Sequence, residues 1–463
     1  MKSKILAIDI GTHSVRSAIL CTSGKVLNLA GQSIKVNNLD NERIEQNGEE
    51  ILNAVNHTLS AVLTEPIHTP QIDHAAIAIQ RSTVIAWHPE NGKTLSPAIS
   101  WQDTRGRQQV NSLKHCETEI HRLSGLVLSP HYGASKIHWL RQQLADQKKL
   151  CIGPLISYLL FHLLENAPYL CDESNASRTQ LWDIQQRRWS KTLCEYFSLS
   201  TEALPSVLPT HSHYGQLKNG NIPLKLVCGD QNAAFLGLTN SRRPIVINAG
   251  TGAFVLSNQP APPGTGILTT IAQSTNESVD YLSEACINGC AAAITYFCQQ
   301  YDLTQDEFFN HIPSTPDNKK QLPIFINCVG GLASPWWKGA HKSFFIDSDS
   351  DSIQERCIAV IESIAFLISK NIQFIETGNK EGNWDIIIGG GVSQSNYLCQ
   401  TIANLTQKKV YRTDAVEATL IGLAKASDNE DLPPTAKTFF RPYTNIELQS
   451  RYHQAITVYE TLT

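Results

Sequence analysis

Twelve cysteines would ordinarily suggest a metal site or a disulfide frame, but the spacings that build one are missing. No C-x-x-C occurs, and the closest pair, Cys286 and Cys290, stands four residues apart. Cys228, Cys328 and Cys357 lie inside apolar runs, where a thiol behaves as a small hydrophobe. The expectation is a set of structural thiols in a reducing cytoplasm, with no zinc site. The fifteen histidines include no H-x-x-x-H or H-E-x-x-H pair. Basic excess is also missing: Lys+Arg is 38 against Asp+Glu 42, a formal net charge of -4. This argues against a nucleic-acid partner and leaves any small anion to be held by a local site. Long apolar runs are absent as well. The stretch before Asp9 is too short for a signal-peptide core. Cys151 to Leu164, interrupted by Gly153, Pro154, Ser157 and His162, is too short to span a bilayer and is expected to be a buried helix. No membrane partner is expected. Neither G-x-x-x-x-G-K-[ST] nor a G-x-G-x-x-G after the first strand is present, which argues against a P-loop kinase and a dinucleotide fold.

What is present is a globular composition, 41% hydrophobic and 17% charged over 463 residues, enough for two large domains or about three ordinary ones. Ile5 to Ile10 predicts a strand, Gly11-Thr12-His13-Ser14 a turn, and Val15 to Cys21 a returning strand. Further strands are expected at Ala75–Ile79 and Thr83–Trp87, with Asn91-Gly92 as a hairpin turn. Leu224 to Cys228 reads as a strand entering Gly229-Asp230 and a helix from Gln231 to Leu238. The polar segment Thr239 to Pro244 is the best domain boundary, dividing the chain into 1–239 and 240–463.

Beyond that boundary the opening pattern recurs. Pro244 to Asn248 predicts a strand, Ala249-Gly250-Thr251-Gly252 a turn, and Ala253 to Ser257 the return. Two related lobes, each opening on a strand–Gly-Thr–strand unit, are implied. A core helix follows Ser352, with isoleucines recurring at helical spacing from Ile353 to Ile375. Then come a strand Asp385 to Ile388, the turn Gly389-Gly390-Gly391, a helix from about Asn396, and a closing helix from Glu417 through Ala426.

Glycine with hydroxyl residues at hairpin tips suits phosphate. Glycine lets the backbone come close, exposed N–H groups form an anion nest, and Thr12, Ser14 and Thr251 add hydroxyls. Gly250 is expected at a positive φ and where the backbone comes close to phosphate, so that a valine there would abolish nucleotide binding. Arg16 is a candidate phosphate donor. Asp9, at the end of a strand beside the glycine turn, can hold Mg²⁺ against a nucleotide's phosphates. Asp230, at a helix start, can accept the proton of a hydroxyl that attacks a phosphoryl group. A plain helix cap is the alternative for it.

Together these segments resemble the FGGY family of carbohydrate kinases, closest in motif style to its glycerol kinases. Asp9 to Thr12 resembles the first phosphate loop, and Trp101-Gln102-Asp103-Thr104-Arg105 the W-x-D-x-R segment. Asp172 to Thr179 resembles T-D-x-S-N-A-S-R-T, and Gly229 to Ala234 the catalytic G-D-Q-x-A-A. Asn248 to Phe254 resembles the second phosphate loop, and Gly389 to Asn396 the adenosine segment.

The resemblance implies an α/β fold of two actin-like, hexokinase-like (ribonuclease H-like) domains with a cleft between them, using ATP and Mg²⁺ on a small sugar or polyol. It implies Asp230 as general base and Asp9 as the Mg²⁺ residue. Thr12, His13, Ser14, Arg16, Gly250 and Thr251 would lie about the phosphates, and Gly390, Gly391 and Ser395 along the adenosine. Arg81, Asp230, Gln231 and Phe254 would touch the substrate. Asp103 and Arg105 would line that pocket or form a structural salt bridge. Trp336-Trp337 is expected to pack in the core or against a second subunit, a homodimer being one assembly it allows.

The departures bear on specificity. Ser82 replaces the acidic residue that glycerol kinases carry after the arginine matched by Arg81. His131 falls where their substrate tyrosine does, with Tyr132 adjacent. His13 replaces a small hydroxyl residue. A four- or five-carbon polyol or ketose is therefore expected over glycerol itself. Glycerol kinase proper and a catalytically inactive sugar-binding regulator are the alternatives.

Overall fold

The computed structural model describes residues 4–21, 24–40, 42–64, 72–238, 244–259, 265–316, 322–339, 341–346, 352–377, 384–413, 417–428 and 436–462. Thr239 to Arg243, most of the segment expected to divide the chain, lie outside them. The chain folds as two compact units. The first takes residues 1–237 together with 270–281 and 417–432, and the second takes 238–269, 282–416 and 433–463.

In the first unit, β1 (Lys4–Ile10), β2 (Ser14–Cys21) and β3 (Val26–Ser33) form an antiparallel meander. β4 (Ile72–Ile79) lies parallel to β1. β5 (His211–Gln216) forms the far edge beside β6 (Pro223–Gly229), giving the order β5-β6-β4-β1-β2-β3. β1 and β4 are buried almost along their whole length, as a sheet covered on both faces requires. Register aligns Ile10 with Ile79 and Gly229 with Ile79. The three parallel strands thus end level, and Gly11, Gln80 and Asp230 leave the same edge, where open α/β sheets place their ligands.

A smaller five-stranded sheet, which includes Val84–Trp87, Ala98–Ile99 and Cys151–Pro154, extends this unit. Cys151 to Leu164 is not the single buried helix expected from its composition. It is a buried strand, Cys151–Pro154, paired antiparallel with Val84–Trp87, followed by the helix Leu155–Leu163. Pro154 explains the split: it lacks an N–H to continue a helix and its fixed φ suits the helix entry. The turn at Asn91-Gly92 is present, with Gly92 at φ 70°.

The helix Ala418–Asp428 packs on β1 and β4 although it lies more than 300 residues from either in sequence. Leu420 and Leu423 join Ile5, Ala7, Ala76 and Ala78 in one buried cluster. It also crosses the helix Asp230–Leu238 at backbone contact: a Cβ on Gly422 would strike the carbonyl oxygen of Ala233, and one on Gly237 that of Ala418. Two glycines, each with a small residue four positions before it, permit that approach. The segment 270–281 is tied in by Asn232, whose amide donates to the carbonyls of Ile271 and Ala272.

The second unit repeats the pattern. β7 (Pro244–Ala249) and β8 (Ala253–Ser257) form a hairpin, β9 (Asp385–Gly389) lies parallel to β7, and β10 (Val410–Thr413) parallel to β9. Asn248 is level with Gly389, so the two glycine turns leave the same edge. The helix Ile353–Glu376 runs through the core. It is the one helix among the described residues long and apolar enough to cross a bilayer, and 83% of its most apolar window is buried in the fold. Trp336 stacks on Tyr459 at 5.3 Å and Trp337 Nε1 donates to the Gly266 carbonyl at 2.5 Å, so both rings serve packing within this unit. All twelve cysteines are free thiols.

Candidate active site

In the first unit, a glycine turn joins β1 to β2 and is closed by the Gly11 N–H donating to the Ser14 carbonyl at 2.9 Å. Asp9, one residue inside β1, is 4% exposed. It pairs with Arg16 directly across the hairpin, with Nη2 2.5 Å from Oδ2. The other guanidinium nitrogen, Nη1, lies 2.8 Å from Glu417 Oε2. Burial pushes the Asp9 carboxyl up to about 6. Arg16 pulls the other way, and the carboxylates of Asp230 and Glu417 add to the rise. Arg16, expected as a phosphate donor, is thus the counter-ion of two acids. Among the described residues, Arg16 stands between Asp9 and Glu417 and Arg81 beside Asp230, and a strand end with carboxylates so placed suits a cation. No cluster of three or more His, Cys, Asp or Glu among the described residues is arranged to hold a metal by itself. A Mg²⁺ ion that keeps several waters and takes its other ligands from phosphates fits such a site.

Asp230 opens the helix Asp230–Leu238, and its Oδ1 accepts from the Gln231 N–H at 2.7 Å. Arg81 Nε lies 3.7 Å from the same oxygen. The arginine stem packs on Gly229, where a Cβ would collide with its Cγ and Cδ. The Gly229 N–H donates to Ser174 Oγ at 3.0 Å, and Ser174 in turn donates to Asp172. Asp172 is fully buried and also caps Asn175. Burial pushes its carboxyl up to about 6. The segment Asp172 to Thr179 therefore braces the strand end that presents Asp230.

A polar network links the remaining residues of this unit. Gln80 Nε2 donates to Gln46 Oε1 at 2.9 Å, and Gln46 Nε2 to the Thr12 carbonyl at 2.9 Å. Trp101 Nε1 donates to Thr12 Oγ1 at 3.0 Å, and the Trp101 carbonyl lies 3.3 Å from His131 Nδ1. Ser82 has φ 65° and its hydroxyl donates to the Arg178 carbonyl at 3.1 Å. A non-glycine residue held there carries backbone strain of about 1–3 kcal/mol. The Arg178 guanidinium lies 5.1 Å from the Tyr132 ring centre. His131 keeps an open face, but the protein packed around its ring, with Lys136 beside it, holds the imidazole neutral, its pKa down at about 4. Asp103 and Arg105 form a salt bridge, 2.7 Å, extended to Glu45 and laid over Trp139. Asp103 also accepts from the Ile44 N–H at 2.7 Å. This pair is a structural brace.

In the second unit the loop after β7 is closed as the first loop is, the Gly250 N–H donating to the Gly252 carbonyl at 2.9 Å. The carbonyls of Gly250 and Thr251 accept from Ala291 and Ala292 at 3.0 Å each. Phe254 pairs with Asn248 across the hairpin. Gly250 does not have the positive φ expected of it, and a Cβ there would meet only the Gly252 oxygen, at 3.7 Å. The backbone demand falls elsewhere. Gly390 has φ 92° and ψ 169°, a region open essentially to glycine alone, and a Cβ on it would strike the Ala249 carbonyl. Gly391 faces open space. Ser395 is the N-cap of the helix Asn396–Thr406, accepting from Leu398.

Gly390→Ala should therefore cost about 1–3 kcal/mol of stability in this unit and weaken ADP binding at least about tenfold, since the loop must move. Gly250→Ala should leave both nearly unchanged. Thermal unfolding with and without ADP separates the two outcomes.

Sequence reasoning missed Glu417, whose partner Arg16 is remote in the chain, and Lys136. The latter left a signal: it shares a helix face with Gly133, Ile137 and Leu140, all buried.

The profile for the FGGY family of carbohydrate kinases, N-terminal domain, matches residues 4–237, and the C-terminal domain profile matches residues 245–427. A glycerol kinase of Mycoplasma genitalium is 30% identical over 450 residues, covering 91% of this chain and 88% of its own. Among solved structures, a Plasmodium falciparum glycerol kinase with ADP superposes with a TM-score of 0.87 at 21% identity, covering 100% of this chain and 98% of its own. A ligand-bound xylulose kinase from Lactobacillus acidophilus gives 0.85 at 17% identity, covering 99% and 97%.

Proposed function

We infer the following from the premise that the chain belongs to the FGGY family of carbohydrate kinases, with the two-domain actin-like fold of that family. It is an ATP-dependent phosphotransferase with an alcohol acceptor, a sugar or polyol. We propose a cytoplasmic enzyme acting on a four- or five-carbon polyol or ketose.

The observation that carries the reading is the strand-end arrangement of Asp9, Arg81 and Asp230. Asp230 accepts the proton of the acceptor hydroxyl as its oxygen bonds to the γ-phosphorus in line with the departing ADP oxygen. Arg81 steers the carboxylate and, with Gln231, orients the acceptor. Thr12, His13 and Ser14 contact the phosphates. Gly390 and Gly391 give the adenosine close access to backbone. Asp9 would hold Mg²⁺, which when bound offsets phosphate charge.

Ser82 and His131 support the choice of substrate. A carboxylate beside Arg81 would accept hydrogen bonds from a short triol. Ser82 is neutral and smaller, and its hydroxyl proton is committed to the Arg178 carbonyl. A hydroxyl deprived of its acceptor costs about 1–3 kcal/mol. A longer chain can instead reach His131, a neutral imidazole able to accept. A four- or five-carbon substrate should thus exceed glycerol in kcat/KM by about tenfold or more. Ser82→Glu should move the ratio back towards glycerol. Steady-state kinetics on both proteins, over glycerol, erythritol, ribitol, ribulose, xylulose and gluconate, tests this. Glycerol as the best wild-type substrate would overturn the substrate assignment and leave the kinase in place.

A further inference from the structure

Lys136 is among the largest fully buried side chains of the molecule, with no exposed surface. Burying an ammonium is costly unless each of its N–H groups finds an acceptor. Here the acceptors are three main-chain carbonyls: Ser82 at 3.2 Å, Ser100 at 2.7 Å and His131 at 2.7 Å. An ammonium has three donors, so the three bonds use them all and leave none for a ligand. That excludes Lys136 as a substrate contact.

The three carbonyls belong to three separate segments, and each segment carries a residue of the site. Ser82 follows Arg81 and is the residue held at φ 65°. Ser100 precedes Trp101, whose indole N–H reaches Thr12 and whose own N–H donates to Thr83 Oγ1 at 3.1 Å. His131 is the open imidazole beside Tyr132. Strand pairing already brings the first two segments together, Val84 standing opposite Ile99. The ammonium ties the third to both and holds the Ser82 carbonyl where the strained backbone puts it. Burial draws the Lys136 pKa down to about 7, and three carbonyl acceptors at hydrogen-bond distance are the surroundings that suit the protonated form, whose charge-assisted bonds are roughly twice as strong as neutral ones.

We propose that Lys136 is the positioning residue of the acceptor pocket, an internal ammonium that sets Arg81, Trp101 and His131 relative to one another. This rests on Arg81 and His131 contacting the acceptor. The nucleotide residues of the second unit are untouched by it, and Thr12, reached through Trp101, is its link to the phosphate residues of the first, so its loss should fall mainly on acceptor use and change nucleotide binding far less.

The test uses Lys136→Met, which removes all three donors, and Lys136→Gln, whose amide restores two. Acceptor and ATP kinetics are measured separately on the full chain, with ADP affinity by calorimetry. Lys136→Met should raise the acceptor KM by about 10- to 100-fold, with the ADP affinity and ATP KM within about threefold of wild type. Lys136→Gln should recover part of the acceptor KM. Equal losses on acceptor and ATP, or identical behaviour of the two variants, would overturn the proposal. So would failure of both to fold, since Lys136 would then be a folding residue only. Wild-type protein that releases no acceptor-dependent ADP over the polyol and ketose panel would instead remove the kinase reading beneath it.

Discussion

Asp230→Asn is expected to lower kcat by about 10²-fold or more, the range for losing a positioned acid–base group, while ADP affinity and thermal stability change little. The substitution is nearly isosteric. An amide oxygen at the Oδ1 position still accepts from the Gln231 N–H, 2.7 Å away in the native protein, so that hydrogen bond survives. What is lost is the negative charge, and with it the basicity of the group and most of its attraction to Arg81, whose Nε lies 3.7 Å from Oδ1. A carboxylate that served only to start a helix would show the opposite pattern, with turnover close to wild type. Single-turnover measurements at saturating ATP and acceptor separate the chemical step from product release.

Asp9→Asn should likewise reduce turnover by about 10²–10³-fold, the scale for removing one electrostatic element of a transferring phosphoryl site. Unlike Asp230→Asn, it should raise the stability of the ligand-free protein at neutral pH. Burial pushes the Asp9 carboxyl from 3.8 up to about 6. A group whose folded pKa is raised binds its proton more tightly in the native state than in the unfolded chain. Its contribution to stability is therefore fully present below about pH 4 and is lost as pH rises through about 6. Two pKa units amount to about 3 kcal/mol at most, reduced by whatever Arg16 loses when its partner goes. Arg16 keeps Glu417 at 2.8 Å, which limits that loss. Unfolding midpoints of wild type and Asp9→Asn at pH 4 and pH 7.5 should differ little at the lower pH and favour the variant at the higher. A variant less stable than wild type at pH 7.5 would make Asp9 a structural ion-pair partner.

Much of this was legible in the sequence because it is local. The alternation of apolar runs with Gly-Thr turns placed both hairpins, Ile5–Cys21 and Pro244–Ser257, to within a residue or two, and Ser352 correctly began the long core helix. Other features escaped because they depend on residues distant in the chain. Nothing near Glu417 reveals that its helix packs on the first strand, or that Gly422 must be small to pass Ala233. The φ of a glycine is set by its neighbours in space as well as by its turn. Gly250 looked like the constrained position, yet the Ala249 carbonyl puts the constraint on Gly390. Pro154 was visible, but only its pairing with Val84–Trp87 shows that the residues before it are a strand. Ser82 stood out as a substitution of type; its strained backbone and its bond to Arg178 could be seen only in three dimensions.

Acceptor-dependent release of ADP from ATP reads out whether Asp230 on this strand edge activates a sugar or polyol hydroxyl for phosphoryl transfer. With wild-type protein, ATP and Mg²⁺, addition of a four- or five-carbon polyol or ketose should raise ADP formation well above the acceptor-free rate, with a phosphorylated acceptor formed in equal amount, and Asp230→Asn should abolish the increase. Binding of the same compounds with no acceptor-dependent ADP from wild-type protein would contradict the account and identify a sugar-binding protein without catalysis.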